Sequence, residues 1–210
     1  MSDLEDIRTW LQAVISDART ASTKIDALIA KQDKLPLSRV RFACPLGGQM
    51  QANGQWPVGI FSATNYAQYY TSSGSPAYHT GCDLNHVDVN ADVNASAYAA
   101  ADGQIMYVGV QAGWQGQIVI ERVLLEDGTY VYARYAHIAP IVNVGDIVHL
   151  GQKIGTLVDY APTGKASGDH LHFVIAKIDL GRAPDDWPGN DRARVLRDYL
   201  DPLQVLKDHP

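Results

Sequence analysis

Residues 117–137 read Gln-Ile-Val-Ile-Glu-Arg-Val-Leu-Leu-Glu-Asp-Gly-Thr-Tyr-Val-Tyr-Ala-Arg-Tyr-Ala-His. Two runs rich in β-branched and aromatic residues, 117–125 and 129–136, flank Asp127-Gly128. That dipeptide favours a tight turn, so the stretch predicts an antiparallel hairpin. Working outward, 104–110 reads as a strand before it, and 146–150, 153–158 and 170–178 read as strands after it. Short strands joined by turns, without alternating helices, predict a mainly β protein built on an antiparallel sheet. Helical signals return only in the tail. One lies around 190–200, and another begins at Asp201-Pro202, where Asp caps and Pro fits the first turn.

Upstream, residues 45–77 carry Gly47, Gly48, Gly54, Pro57, Gly59, Gly74 and Pro76, with Tyr66, Tyr69 and Tyr70 among them. They predict a long, loop-rich lead-in to the sheet. The first 35 residues differ. Leu4, Ile7, Leu11, Val14, Ala18, Ala21, Ile25, Leu28, Gln32 and Leu35 are spaced three and four apart. This is the heptad seam of a coiled-coil helix, with Ser2 and Glu5 at capping-box spacing. A seam so narrow predicts self-association, hence a homo-oligomer; the alternative is an amphipathic helix lying on its own domain. Pro36 ends it, giving a helical segment at 1–35 and a β domain at 36–210.

The chain has 210 residues, 46% hydrophobic and 19% charged, a globular balance with length enough for a core. A net charge of -6 argues against a general nucleic-acid binder. No apolar run approaches the roughly 18 residues of a membrane span. The acidic start MSDLEDIRTW does not read as a secretory signal. Cys44 and Cys82 are too few for a disulfide scaffold, and two free thiols are at least as consistent with the sequence as one bridge.

Three segments carry chemistry. In His79-Thr80-Gly81-Cys82-Asp83, strand alternation puts His79, Gly81 and Asp83 on one face, with glycine leaving room for an ion and Cys82 turned away. In Asp169-His170-Leu171-His172-Phe173, the same alternation puts both imidazoles on one face and Leu171 and Phe173 in the core. Buried imidazoles are costly unless they find partners, and a metal supplies one. Tyr135-Ala136-His137, at the end of the return strand, is weak alone. Together, His79, Asp83 and one histidine of the later pair supply the three ligands of a catalytic zinc. Such an ion lowers the pKa of a water and polarises a carbonyl, and the remaining histidines move protons. Spacing does not say which histidine of the pair binds. The plain alternative is a set of satisfied core histidines with Asp83 as a turn residue. A cupin-type site needs a Glu and a further His downstream, where only His209 and a helical tail follow.

These three motifs, in this order, resemble the lysostaphin-type (LytM-like) zinc endopeptidases of bacterial cell walls. Tyr98–Gly103, Val144–Val148, Gly151–Gly155 and Tyr199–Pro202 resemble the family's connecting segments, and the likeness covers about 75–205. The resemblance implies that His79, Asp83 and His172 bind one zinc ion. It implies that His137 and His170 flank the reacting water, as general base and as stabilisers of the oxyanion. It implies an antiparallel β-sheet with a groove for an extended peptide, and peptidoglycan stems and cross-bridges as substrates. A tyrosine near the oxyanion is common in the family; Tyr69, Tyr70 and Tyr78 are the candidates. The Asp/Asn-rich stretch 86–96 departs from the family pattern and reads as a solvated loop.

Two other functions compete. One is a non-catalytic or latent peptidoglycan-binding module of the same fold, which usually loses a ligand; none is lost here. The other is a lipoyl- or biotinyl-type carrier, which leaves the histidines idle. The expected place of action is the cell wall, reached by lysis, with a phage particle, or by another export route.

Overall fold

The computed structural model describes residues 39–71, 76–88, 91–159 and 169–210, together with Ile7, Gln12, Val14, Ile15, Ser16 and Thr20. The chain divides into a unit of residues 1–38 and a unit of residues 39–210. In the first unit the described residues are helical and exposed, and Thr20 Oγ1 donates to the Ser16 carbonyl at 3.0 Å. Most of the heptad helix expected at 1–35 lies outside the described residues.

In the second unit the strands are β1 (Ile60–Thr64), β2 (Tyr69–Tyr70), β3 (Ala77–Tyr78), β4 (Cys82–His86), β5 (Ser96–Tyr98) and β6 (Gly103–Gly109). They continue with β7 (Gln117–Leu124), β8 (Tyr130–Pro140), β9 (Ile147–Val148), β10 (Lys153–Leu157), β11 (Leu171–Ala176) and β12 (Tyr199–Leu200). Two short helices, α1 (Arg192–Asp198) and α2 (Pro202–Asp208), complete the described elements. Asp201 caps α2, accepting from the Leu203 N–H, with Pro202 in the first turn as the sequence predicts.

Ten strands form one antiparallel sheet, with the main path β1-β4-β11-β8-β7-β6-β9, and β2 pairs with β3 separately. The β7–β8 hairpin pairs Ile118 with Ala136 through Leu124 with Tyr130. Its turn is one residue longer than a two-residue hairpin. Gly128, at φ 82°, donates to the Leu125 carbonyl, and Thr129 closes on Asp127. Glycine carries that left-handed conformation without strain.

The strand period sorts side chains between two clusters. Leu171, Phe173 and Ile175 of β11 enter the larger one with Leu84, Val119, Tyr135 and Trp56. Val174 and Ala176 enter the smaller one with Ile118, Ile120, Tyr132, Ala136 and Tyr199. Burying each large apolar side chain contributes roughly 1.5–3 kcal/mol, so the register of β11 is strongly fixed. Cys44 and Cys82 are both buried free thiols in the larger cluster. Burial pushes each thiol up to about 12, and Cys82 faces away from the site as expected.

The 86–96 stretch is more ordered than a solvated loop. Asp92 is 1% exposed. Its Oδ1 accepts from the His86 backbone N–H at 2.9 Å and meets His86 Nδ1 at 2.8 Å. Residues 89–90 lie outside the described residues.

Candidate metal centre

Asp83 on β4 and His172 on β11 are direct cross-strand partners. Opposed residues of an antiparallel pair carry their side chains side by side, so the register alone brings two candidate ligands together. His79 arrives from the segment before β4. That segment lies hard against β11 because residue 81 is glycine: a Cβ there would stand 2.1 Å from the Phe173 carbonyl oxygen. The expectation that Gly81 leaves room for an ion is therefore corrected. It leaves room for the backbone of the neighbouring strand.

His79 Nε2, Asp83 Oδ1 and His172 Nδ1 converge. Their separations are 3.0 Å between the nitrogens, 3.1 Å from His79 to Asp83 and 2.9 Å from His172 to Asp83. Hydrogen bonds alone satisfy this triangle poorly, since two imidazole nitrogens that both donate to one oxygen would face each other at 3.0 Å. A tetrahedral zinc with bonds of about 2.0–2.1 Å sets its ligands about 3.3 Å apart, a few tenths beyond the spacing here. Donor types and spacing fit a zinc ion. Burial opposes ionisation of Asp83, but hydrogen bonds from His172 and His79 outweigh it and hold the carboxyl well below its usual range. Burial keeps His172 neutral, against the pull of Asp83.

The other two candidates stand beside the triangle. His170 Nε2 lies 3.6 Å from Asp83 Oδ1, and the His137 and His170 rings are 4.7 Å apart, edge to face. His137 gets there against the strand period. Alternation would turn it to the same side as Tyr135, into the larger cluster. Instead the β7–β8 register skips it, passing from Ile118–Ala136 to Gln117–Ile138, and its φ is 66°. It is the extra residue of a bulge, a device that re-aims a side chain. Its Nδ1 lies 2.9 Å from the Gln115 carbonyl. A carbonyl only accepts, so Nδ1 carries the proton and Nε2 the lone pair. Burial and the charge of His170 lower its pKa to about 4.

One cavity of about 340 Å³ is lined by all five expected residues: His79, Asp83, His137, His170 and His172. Thr64, Tyr70, Gly113, Trp114 and Trp187 complete the lining. Among the three candidate tyrosines, Tyr70 reaches the cavity, its ring 5.7 Å from His79. Tyr69 and Tyr78 pack on each other instead. Trp114 stacks on His137 at 5.4 Å, and Trp187 lies 5.6 Å from His172. Sequence reading passed over both tryptophans and Arg134. The available signals were a tryptophan between glycines at 113–116 and another in Asp185-Asp186-Trp187-Pro188-Gly189, each in a loop between regular elements.

Beside the antiparallel sheet, a His-Asp-His triangle and two further imidazoles thus line one cleft. The model of peptidase family M23 matches residues 78–185, just over half of the chain, and the chain belongs to that family. Among solved structures, a chain of the SpoIIIAH–SpoIIQ complex is similar at 18% identity and a TM-score of 0.50, covering 78% of this chain and 99% of that one. Lysostaphin from Staphylococcus simulans is similar at 21% identity and a TM-score of 0.47, covering 80% of this chain and 55% of that one. The catalytic domain of the prophage-encoded M23 protein EnpA from Enterococcus faecalis, solved as a point mutant, is similar at 18% identity and a TM-score of 0.44. It covers 70% of this chain and 92% of that one. At 18% identity the likeness to the SpoIIIAH–SpoIIQ chain is one of fold alone. No match was found among curated proteins. Among the described residues, no helix is long and apolar enough to cross a membrane.

Proposed function

We propose that the protein is a zinc-dependent endopeptidase acting on the peptide stems or cross-links of bacterial peptidoglycan. The observation that carries this reading is the convergence of His79, Asp83 and His172 in the same cavity as His137 and His170. The first three residues would hold one zinc ion. When bound, it supplies Lewis acidity, lowering the pKa of a water and polarising a carbonyl. His137 is neutral at physiological pH, and its Nδ1 is committed to Gln115. Nε2 therefore takes the proton of the attacking water and returns it to the leaving amine. His170, beside His137, stabilises the oxyanion that develops on the substrate, and Tyr70 at the rim adds a second donor. Trp114, Trp187 and Tyr70 wall the cavity and exclude water around the scissile bond. Membership of the M23 family supports the peptidase assignment.

The stacking of Trp114 on His137 favours a second reading, a latent or binding form of the same fold. One assay separates the two. Zinc-loaded protein is incubated with sacculi from several bacteria, with and without chelator, and released fragments are read by mass spectrometry. The enzyme releases chelator-sensitive fragments whose masses name the bond. Intact sacculi from every source, with zinc demonstrably bound, would favour the latent form.

A further inference from the structure

Arg134 is 0% exposed, and a buried guanidinium is costly unless its donors find partners. Nη1 donates to the carbonyls of Pro184 and Asp186 at 3.2 and 3.0 Å. Nη2 donates to Thr80 Oγ1 at 3.0 Å and faces His172 Nε2 at 3.5 Å. Nε has no hydrogen-bond partner among the described residues. The guanidinium lies against two rings, 5.2 Å from the centroid of Trp114 and 5.9 Å from that of Trp187. No carboxylate oxygen is among these partners, although Asp186 is next to hand. The Asp186 carboxylate is taken by Arg194 and by the Tyr199 hydroxyl.

The partners come from four separate pieces of the cavity wall. Thr80 belongs to the segment that delivers His79. His172 is a candidate ligand. Pro184 and Asp186 carry the loop that ends in Trp187. Trp114 comes from the loop before β7. A histidine that binds a metal generally has its second nitrogen fixed by an outer partner, usually a carboxylate or a carbonyl. Here the group behind the second nitrogen of His172 is a cation, Arg134, whose Nη2 stands 3.5 Å away; with Nδ1 turned to an ion, Nε2 carries the ring proton, so the two donors pack together without a hydrogen bond. That cation also fastens the wall on either side.

We propose that Arg134 is a positioning residue of the metal centre. Its planar fork ties the His79-bearing segment to the Trp187 loop behind His172, so that the ligand triangle is set before an ion arrives. This rests on the zinc reading above. The fork matters as well as the charge, because a lysine offers a single point and cannot span the acceptors on both segments.

The test measures zinc affinity by chelator competition, and the visible spectrum of the cobalt(II)-loaded protein, for the full chain and three variants. Near-ultraviolet circular dichroism reports the tryptophan packing in each. Arg134→Met is expected to lose 10–100-fold in zinc affinity and to shift the cobalt bands. Arg134→Lys is expected not to restore either. Thr80→Val, a milder change that removes only the hydroxyl acceptor, is expected to lose affinity by a smaller factor in the same direction. If Arg134→Met does not fold, Thr80→Val decides. Folded Met or Val variants that match the parent in affinity and cobalt spectrum would overturn the inference and leave the zinc reading standing. Full restoration by lysine would overturn the role of the fork. A parent chain that takes up no zinc or cobalt would remove the metal reading, and the inference with it.

Discussion

Replacing Glu121 by glutamine should flatten the pH dependence of stability. Glu121 is 0% exposed, inside the sheet. Its Oε2 accepts from the Tyr135 hydroxyl at 2.5 Å, and that hydroxyl accepts in turn from the Ala100 N–H at 2.7 Å. Oε1 has no hydrogen-bond partner among the described residues. Burial raises the carboxyl from 4.5 to about 8, and burial together with Glu121 raises the Tyr135 phenol as well. Both directions say that the pair is held uncharged. The folded chain therefore keeps a proton that the unfolded chain has released between pH 4.5 and about 8. The stabilisation is complete below 4.5 and is lost as pH rises through the folded value. One pKa unit corresponds to about 1.4 kcal/mol, so the loss across this window is on the order of 5 kcal/mol. Glutamine keeps the shape and the acceptor for Tyr135 but does not titrate. In urea unfolding of the metal-free chains, the stability difference between Glu121→Gln and the parent should move in the variant's favour by several kcal/mol from about pH 5 to about pH 9. Two curves that stay parallel over that range would refute the reasoning.

Other consequences are open to direct measurement. Gly81→Ala drives a Cβ into the Phe173 carbonyl; the cost should reach about 3 kcal/mol or more, seen as a melting temperature lower by roughly 6–12 °C, and an unchanged melt would contradict the close approach of β4 and β11. Cys44 and Cys82, buried with raised pKa values, should resist a thiol reagent at about pH 8 in the native protein and react with two equivalents after unfolding; rapid native labelling would speak against their burial. The heptad seam at 1–35 should associate chains, so light scattering of the full chain should give the mass of at least two, and a monomer mass would sink that proposal.

Much of this site was legible because it lies on regular strands. The period of two in 170–173 places His172 toward the cavity and Leu171 and Phe173 in the core, and the hairpin at 117–136 needs only β-propensity and a glycine turn. His137 shows the limit. Its motif marked it, but the period alone would have buried it beside Tyr135, and only the bulge opposite Gln117–Ile118 re-aims it. Gly81 was recognised for its position and misread for its reason, because the strand it touches is some ninety residues away. Arg134, Trp114 and Trp187 carry no local pattern. Their roles arise where four segments meet, which spacing along the chain does not encode. Asp92 was hidden for the same reason, its partner His86 being fixed by the strand that precedes the loop.

The central claim is that His79, Asp83 and His172 hold zinc while, beside it, His137 moves the proton and His170 stabilises the oxyanion. Zinc content and sacculus hydrolysis measured together on the parent, Asp83→Ala and His170→Ala test it most directly. The account predicts one zinc and activity in the parent, neither in Asp83→Ala, and retained zinc with lost hydrolysis in His170→Ala. Equal loss of zinc in the two variants, or chelator-resistant hydrolysis by Asp83→Ala, would contradict it.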